Sequence, residues 1–156
     1  MQLQISKKDV KVVDGFYPSR YTKEEYRHGI MSLQDKMMSM PDAILEDSEE
    51  YPLRHTFADK QYIREVQFPK GHLIVTKIHK VQHPFFLMSG EISFLTEKGE
   101  TRISAPYYGI TDVGTKRVIY VHEDCSFITV HPTTLKNVED IEKEVIAETY
   151  NEKEVI

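Results

Sequence analysis

Hydrophobic residues recur along this chain at two different spacings, and the first is helical. Between Thr22 and Met40, apolar side chains lie three and four residues apart, as on one face of a helix: Tyr26, Ile30, Leu33, Met37 and Met40. Thr22 and Glu25 have the spacing of a capping box, and Pro41 ends the pattern. We therefore predict either one helix over residues 22–40 or two shorter helices divided at Gly29, which weakens the middle of the pattern.

The second spacing is the alternation of strands, and it occupies the middle of the chain. Short alternating segments are separated by Gly and Pro turns at intervals of roughly ten residues, which is typical of an antiparallel sandwich or barrel. The predicted strands cover residues 62–68, 72–79, 84–87, 92–95, 101–105, 118–121 and 127–131. A turn is predicted at Ser89-Gly90, and a short strand near Val12 and Val13.

The helical pattern returns near the C-terminus. Asn137, followed by acidic residues, is a typical helix start, and Ile141 and Val145 give a narrow apolar stripe that extends to about Tyr150. We expect this helix to lie on the sheet and residues 151–156 to fray. The acidic residues 46–50 are expected to form a solvated loop.

Length and composition indicate one folded domain. The chain has 156 residues, of which 40% are hydrophobic and 29% charged, as in ordinary globular proteins. We divide it into an N-terminal strand and helical extension (1–58), a β-core (59–133) and a C-terminal helix with its tail (134–156). The net charge of −5 disfavours broad nucleic-acid binding, because phosphate contacts need a basic surface.

Cysteine use and hydropathy suggest the compartment. Cys125 is the single cysteine, so no intramolecular disulfide can form, and a reducing compartment is favoured. Its neighbours give no sign of activation, and we interpret it as a small strand residue rather than a nucleophile. The first residues lack the apolar run of a signal peptide, and no segment has membrane-spanning length. A cytoplasmic protein is expected.

Polar residues that could form a site cluster around the predicted strands. His79 shares a strand face with Lys77, His83 begins the next strand, and Arg117 and His131 belong to later ones. If these faces all turn inward, one mouth of the barrel gathers three imidazoles and two cations.

The same stretch resembles the two sequence motifs of the cupin superfamily. Residues 68–71 (Phe-Pro-Lys-Gly), followed by His79, His83 and Gly90, resemble the first motif, in which a Gly is followed by His-x-His, a Glu and a Gly. Residues 112–117 resemble the second motif, in which Pro-x-Gly is followed by a third His.

The resemblance covers about residues 60 to 132. It implies a mainly β fold, namely a single jelly-roll barrel (also called a double-stranded β-helix). An N-terminal helical segment and a C-terminal helix would accompany the barrel. Cupins hold a divalent metal or a small molecule, act as oxygenases, isomerases or binding modules, and often form dimers. We therefore expect a homodimer, paired through sheet edges or the Met-rich helix. The chain also looks like uncharacterised cupin-like proteins of bacterial viruses and their hosts, a likeness that implies no activity.

The metal positions of the cupin motifs are altered in this chain. Lys77 stands where the first His is expected, His83 where the Glu is expected, and Arg117 where the third His is expected. The standard set of three His and one Glu is therefore absent.

Three interpretations of the site follow. In the first, His79 and His83, with His131 or Glu65, bind one divalent metal (Fe, Mn, Ni or Zn) in an enzyme such as an oxygenase, isomerase or hydrolase. Lys77 and Arg117 would repel that metal. In the second, these cations bind a small anionic ligand, a metabolite or nucleotide that the protein sequesters.

In the anion interpretation, tyrosines near the site, Tyr107, Tyr108 or Tyr120, would bond or stack on the ligand. In the third interpretation the histidines are structural, Arg117 pairs with Glu65 or Glu123, and the protein acts through its dimer surface. We favour the anion pocket. His79 and His83 are the candidate general acid–base groups, because a neighbouring cation keeps an imidazole neutral.

Overall fold

The computed structural model describes residues 16–45 and 48–155. Two helices lie within these residues, α1 (Lys23–Met38) and α2 (Val138–Val145). The strands described there are β1 (Phe16–Pro18), β2 (Leu53–Ala58), β3 (Gln61–Phe68), β4 (Leu73–Val75), β5 (Ile78–His79), β6 (His83–Thr96), β7 (Gly99–Ser104), β8 (Tyr107–Thr111), β9 (Val118–Pro132) and β10 (Ile146–Ala147). The strand predicted near Val12 and Val13, and Glu46 and Asp47 of the acidic loop, lie outside the described residues.

Helix α1 forms where the apolar spacing predicts it. The Thr22 side chain accepts from the Glu25 backbone N–H at 3.1 Å and the Glu25 carboxylate accepts from the Thr22 N–H at 2.8 Å, which confirms the capping box. The helix continues through Gly29, so the alternative of two shorter helices is wrong. Tyr26 and Ile30 are buried against Val118 of the sheet. No helix of the described segments is long and apolar enough to cross a membrane.

The core contains two long strands, β6 and β9, and each of them spans two of the strands predicted from the sequence. Gly90 has φ +86°, and a Cβ there would collide with the Asp124 carbonyl. The pairing of β6 with β9 shifts register around this glycine, so it forms a bulge that bends a continuous strand. The turn predicted at Ser89-Gly90 is therefore wrong, and Leu87, Ile92 and Val121 are fully buried where the two strands cross the core.

The strands form one large antiparallel sheet, in the order β1-β7-β6-β9-β3-β2, with β4 also paired to β9 and β8 to β6. The mainly β architecture with two helices is confirmed. The architecture is consistent with the predicted jelly roll, and the sheet is not closed into a barrel. Strands β2 and β8 were not predicted. Because β1 and β2 precede residue 59 and pair with β7 and β3, they extend the sheet beyond the predicted β-core.

The strand predicted over residues 72–79 is interrupted after Val75. The Thr76 backbone N–H donates to the Arg117 carbonyl at 2.9 Å, and the Thr76 hydroxyl accepts from the Arg117 N–H at 2.8 Å. Beyond this break β5 leaves the main sheet and pairs with β10, so that His79 faces Ile146 in the ladder.

The C-terminal segment, residues 138–155, packs along its whole length. Helix α2 ends at Val145 rather than near Tyr150, and β10 follows at once. Val155 is buried against Ile78, and its carbonyl accepts from Arg27 Nη1 at 2.9 Å. The expected fraying is therefore wrong up to residue 155, and residue 156 lies outside the described residues.

Candidate functional site

Three histidines from three strands lie together at one end of the sheet. The ring centroids of His79 and His83 are 4.6 Å apart, those of His83 and His131 4.2 Å, and those of His79 and His131 6.3 Å. His83 is 2% exposed and His131 3%. The structure thus brings together the three imidazoles that the strand pattern predicted on inward faces.

Strand alternation accounts for their inward position. His83 begins β6 on the same face as Phe85 and Leu87, which are both buried. His131 belongs to the buried face of β9 that also carries Phe127 and Thr129. His79 approaches from β5, outside the main sheet.

Arg117 lies beside these rings as a buried cation. It is 5% exposed, and Nη2 donates to the Thr111 hydroxyl at 2.9 Å. The guanidinium carbon lies 4.9 Å from the centre of the Phe85 ring and 5.2 Å from that of Phe94, so two aromatic faces hold it in place. In the β-ladder Thr111 is opposite His83, which links the cation to the histidines.

Arg117 has no carboxylate within ion-pair distance in the described part of the chain. The partners suggested by the sequence are engaged elsewhere. Glu65 pairs with Arg54 and accepts from Ser126, and Glu123 pairs with Lys70 at 3.1 Å. The predicted pairing of Arg117 with Glu65 or Glu123 is therefore wrong.

Burial is the main influence on the protonation states of His79, His83, His131 and Arg117. It lowers the pKa of His131 to about 3, with smaller contributions from His83 and Arg64. Burial also lowers the pKa of His79 and His83, and Arg117 adds to this effect at both rings. The pKa of Arg117 falls to about 10, again through burial. Near neutral pH the cluster therefore holds three neutral imidazoles and one positive charge.

Several polar atoms of the cluster are buried without a hydrogen-bond partner among the described residues. They are His79 Nδ1, His83 Nε2, His131 Nδ1 and Arg117 Nε. The other imidazole nitrogen is bonded in His83, where Nδ1 lies 2.9 Å from the Val81 carbonyl, and in His131, where Nε2 lies 2.9 Å from the Thr129 hydroxyl. Buried polar atoms in native proteins nearly always have a partner, so these four atoms require hydrogen-bond partners from outside the described residues, such as water or a small molecule.

Other residues predicted for the site lie elsewhere. The Lys77 side chain is 43% exposed and pairs with Glu142 of α2 at 3.2 Å, because the break at Thr76 takes it off the face that it was expected to share with His79. Tyr108 is 73% exposed on β8. Tyr120 packs against His122, 5.0 Å between ring centres.

Two residues near the site were missed by the sequence reasoning. Thr111 was missed because β8 was not recognised as a strand. The other face of β8 carries Tyr108 and Ile110, which are apolar although they are exposed, so the strand lacks the usual alternation of apolar and polar residues. Lys116, treated only as part of a motif, is buried with Nζ bonded to Gln34 and to the Thr76 carbonyl. Burial lowers the pKa of Lys116 to about 8.

The cluster does not fit a divalent metal. Among residues 16–45 and 48–155, no group of three or more His, Cys, Asp or Glu side chains is arranged to hold a metal ion. A buried arginine beside the rings opposes a second cation. The metal at His79, His83 and His131 stays a prediction, which direct metal analysis can test.

The comparison with known proteins concerns the fold. No protein-family model matches the sequence, and no curated protein does either. A solved structure of ectoine synthase from P. lautus matches with a TM-score of 0.51 and 13% identity, over 70% of this chain and 82% of that one. This likeness confirms the predicted cupin-like fold.

Two further solved structures are similar to a lower degree. A cupin-2 domain protein from Shewanella frigidimarina matches with a TM-score of 0.46 and 12% identity, over 64% of this chain and 91% of that one. A cupin superfamily protein from Desulfitobacterium hafniense matches with a TM-score of 0.47 and 9% identity, over 58% and 84%.

Proposed function

We propose that this cupin-like chain binds a small oxyanion in the buried cluster formed by Arg117, His79, His83 and His131. The observation that carries the proposal is the burial of Arg117 without a carboxylate partner in the described residues. An arginine stays charged at neutral pH, and burying a charge without a close partner costs several kcal/mol. The Asp112 carboxylate acts on Arg117 only from beyond ion-pair distance and is itself paired with Lys98. An anionic ligand would supply the missing charge.

The surroundings of Arg117 suit this role. Thr111 and the rings of Phe85 and Phe94 hold the guanidinium in one orientation, so little conformational entropy is lost when an anion binds. Attraction between opposite charges is stronger in a buried site than in water. The neutral imidazoles add hydrogen-bonding groups without adding charge.

Thermal unfolding with a panel of small anions tests the proposal. The panel contains hydrogen phosphate, sugar phosphates, nucleotides and small carboxylic acids. A ligand that binds only the folded state raises the melting temperature as its concentration increases. We expect at least one anion to do so for the wild type, and calorimetric titration then gives its affinity.

Arginine variants identify the site. In Arg117→Met the ligand-dependent rise should disappear. Arg102→Met is the matched control, because Arg102 lies on the exposed face of β7 and bonds to Glu91 at 3.0 Å, and it should respond as the wild type does. An equal rise in Arg117→Met, or no rise with any anion, contradicts the proposal.

Metal analysis separates this function from the metal-dependent alternative. Protein purified without a chelator should contain no stoichiometric Fe, Mn, Ni or Zn. A stoichiometric metal that is lost in His79→Ala would overturn the anion site in favour of a metal centre.

A further inference from the structure

We infer that the ligand carries a hydroxyl hydrogen next to its anionic oxygen, so that the site selects hydrogen phosphate or an α-hydroxy acid over sulfate and simple carboxylates. This inference rests on the proposed function and specifies its ligand class. It follows from two buried atoms whose hydrogen-bonding roles are opposite, Arg117 Nε and His83 Nε2.

The role of His83 is determined by its backbone contact. Nδ1 lies 2.9 Å from the Val81 carbonyl, and a carbonyl oxygen only accepts, so the hydrogen must be on Nδ1. In a neutral ring the other nitrogen then carries a lone pair and only accepts. His83 Nε2 is therefore a buried acceptor, and it has no partner among the described residues.

The surroundings of His83 keep the ring neutral. Arg117 is linked to the ring through Thr111, and the rings of His79 and His131 lie 4.6 and 4.2 Å away between centroids. Arg64 on β3 adds a further positive charge near His79 and His131. A second proton on His83 would place one more buried positive charge among these groups, so Nε2 stays an acceptor near neutral pH.

Arg117 has the opposite role. Every guanidinium nitrogen donates and none accepts, and Nε is the buried nitrogen without a partner in the described part of the chain. The two groups flank the same residue, because Arg117 donates to Thr111 and His83 is opposite Thr111 in the ladder. A small ligand that reaches both must therefore present an acceptor to Arg117 and a donor to His83.

This requirement separates anions of similar size and charge. Hydrogen phosphate has both a charged oxygen and an O–H group, whereas sulfate at neutral pH has acceptors only. Glycolate likewise has an O–H group beside its carboxylate, whereas acetate has acceptors only. Sulfate or acetate would leave His83 Nε2 without a hydrogen-bond donor, and that loss corresponds to about tenfold weaker binding or more.

Calorimetric titration of two matched pairs near pH 7 tests the inference. Hydrogen phosphate is compared with sulfate, and glycolate with acetate, on the full-length protein. We expect the hydroxyl-bearing member to bind at least about tenfold more tightly. The pair that shows measurable binding identifies the source of the oxyanion, phosphate or hydroxy acid.

A variant of His83 assigns the selectivity to this ring. The amide of His83→Gln offers a donor as well as an acceptor, so the preference should fall to about threefold or less. His122→Gln is the matched control, because His122 bonds to Ser93 at 2.8 Å away from the cluster, and it should keep the preference.

The outcomes distinguish the inference from the proposed function. If sulfate and acetate bind as tightly as their partners while Arg117→Met loses all binding, the anion site stands and the inference is wrong. Selectivity that persists in His83→Gln also contradicts it. If no oxyanion binds, or if Arg117→Met still binds, the proposed function itself fails.

Discussion

Cationic side chains have different partners in two regions of this fold, the C-terminal segment and the buried cluster. At the C-terminal segment, Lys77 pairs with Glu142 at 3.2 Å and Lys80 with Glu152 at 3.3 Å. Arg27 contacts both Glu97 and the Val155 carbonyl. In the cluster, Arg117 is buried and has no carboxylate within ion-pair distance in the described residues.

The difference matters because the two arrangements have different energetic consequences. Partly exposed ion pairs contribute about 0–1 kcal/mol and are ordinary features of a surface. A buried charge without a partner lowers stability and persists only where something else requires it. The ion pairs of the C-terminal segment are therefore ordinary surface contacts. The proposed anion site rests on the buried arginine, which has no close carboxylate among the described residues.

The largest effect is expected where the C-terminal segment packs through apolar contacts. Ile141 of α2 is fully buried with Tyr62 and Val145. Ile141→Ala should lower the free energy of unfolding by about 2–5 kcal/mol, because it leaves a cavity. Chemical denaturation measures this value. Ile110→Ala, at an exposed isoleucine of β8, should change it by less than about 0.5 kcal/mol.

In the buried cluster, a substitution is expected to raise the free energy of unfolding rather than lower it. Replacing the buried charge by an apolar side chain in Arg117→Met should raise the free energy of unfolding of the ligand-free protein by about 1–4 kcal/mol. Arg27→Met should lower it, because Glu97, Tyr150 and the Val155 carbonyl all lose their contact with the cation. A loss of stability in Arg117→Met would mean that the arginine is structural.

A smaller effect per pH unit is expected from the protonation of His131. Unfolded histidine titrates near its ordinary pKa of 6.5, whereas burial holds the pKa of folded His131 near about 3. Below pH 6.5 the unfolded state therefore binds more protons. The contribution of His131 is complete above pH 6.5 and is lost progressively as the pH falls towards 3, by up to about 1.4 kcal/mol per pH unit.

Denaturation curves across this range measure that contribution. In His131→Gln the dependence of stability on pH should be less steep by about 1.4 kcal/mol per unit. Carboxylates with a lowered pKa, such as Glu91 and Asp112, remain in both proteins, so the difference between the two curves isolates the histidine. Parallel curves would show that the pKa of His131 is not lowered in the folded state.

Features decided by local chemistry could be predicted from the sequence. The capping box at Thr22 and Glu25 follows from spacing alone. Strand alternation was enough to place His83 and His131 on inward faces. Both depend on neighbours a few residues away.

Features decided by distant contacts could not be predicted. The interruption after Val75 depends on bonds between Thr76 and the backbone of Arg117, 41 residues later. The pairing of β5 with β10 depends on where α2 ends. These contacts place Lys77 at the surface and leave Arg117 bonded to Thr111.

The most direct test of the central claim is the side-chain ¹⁵N spectrum of the arginines, recorded while hydrogen phosphate or glycolate is added. The Nε–H signal of Arg117 is identified by its absence in Arg117→Lys. We predict that this signal shifts with saturation as the anion binds, while those of Arg54 and Arg102, which pair with surface carboxylates, stay in place. An Arg117 signal that does not move while the anion binds, or a shift confined to the surface arginines, would contradict the account.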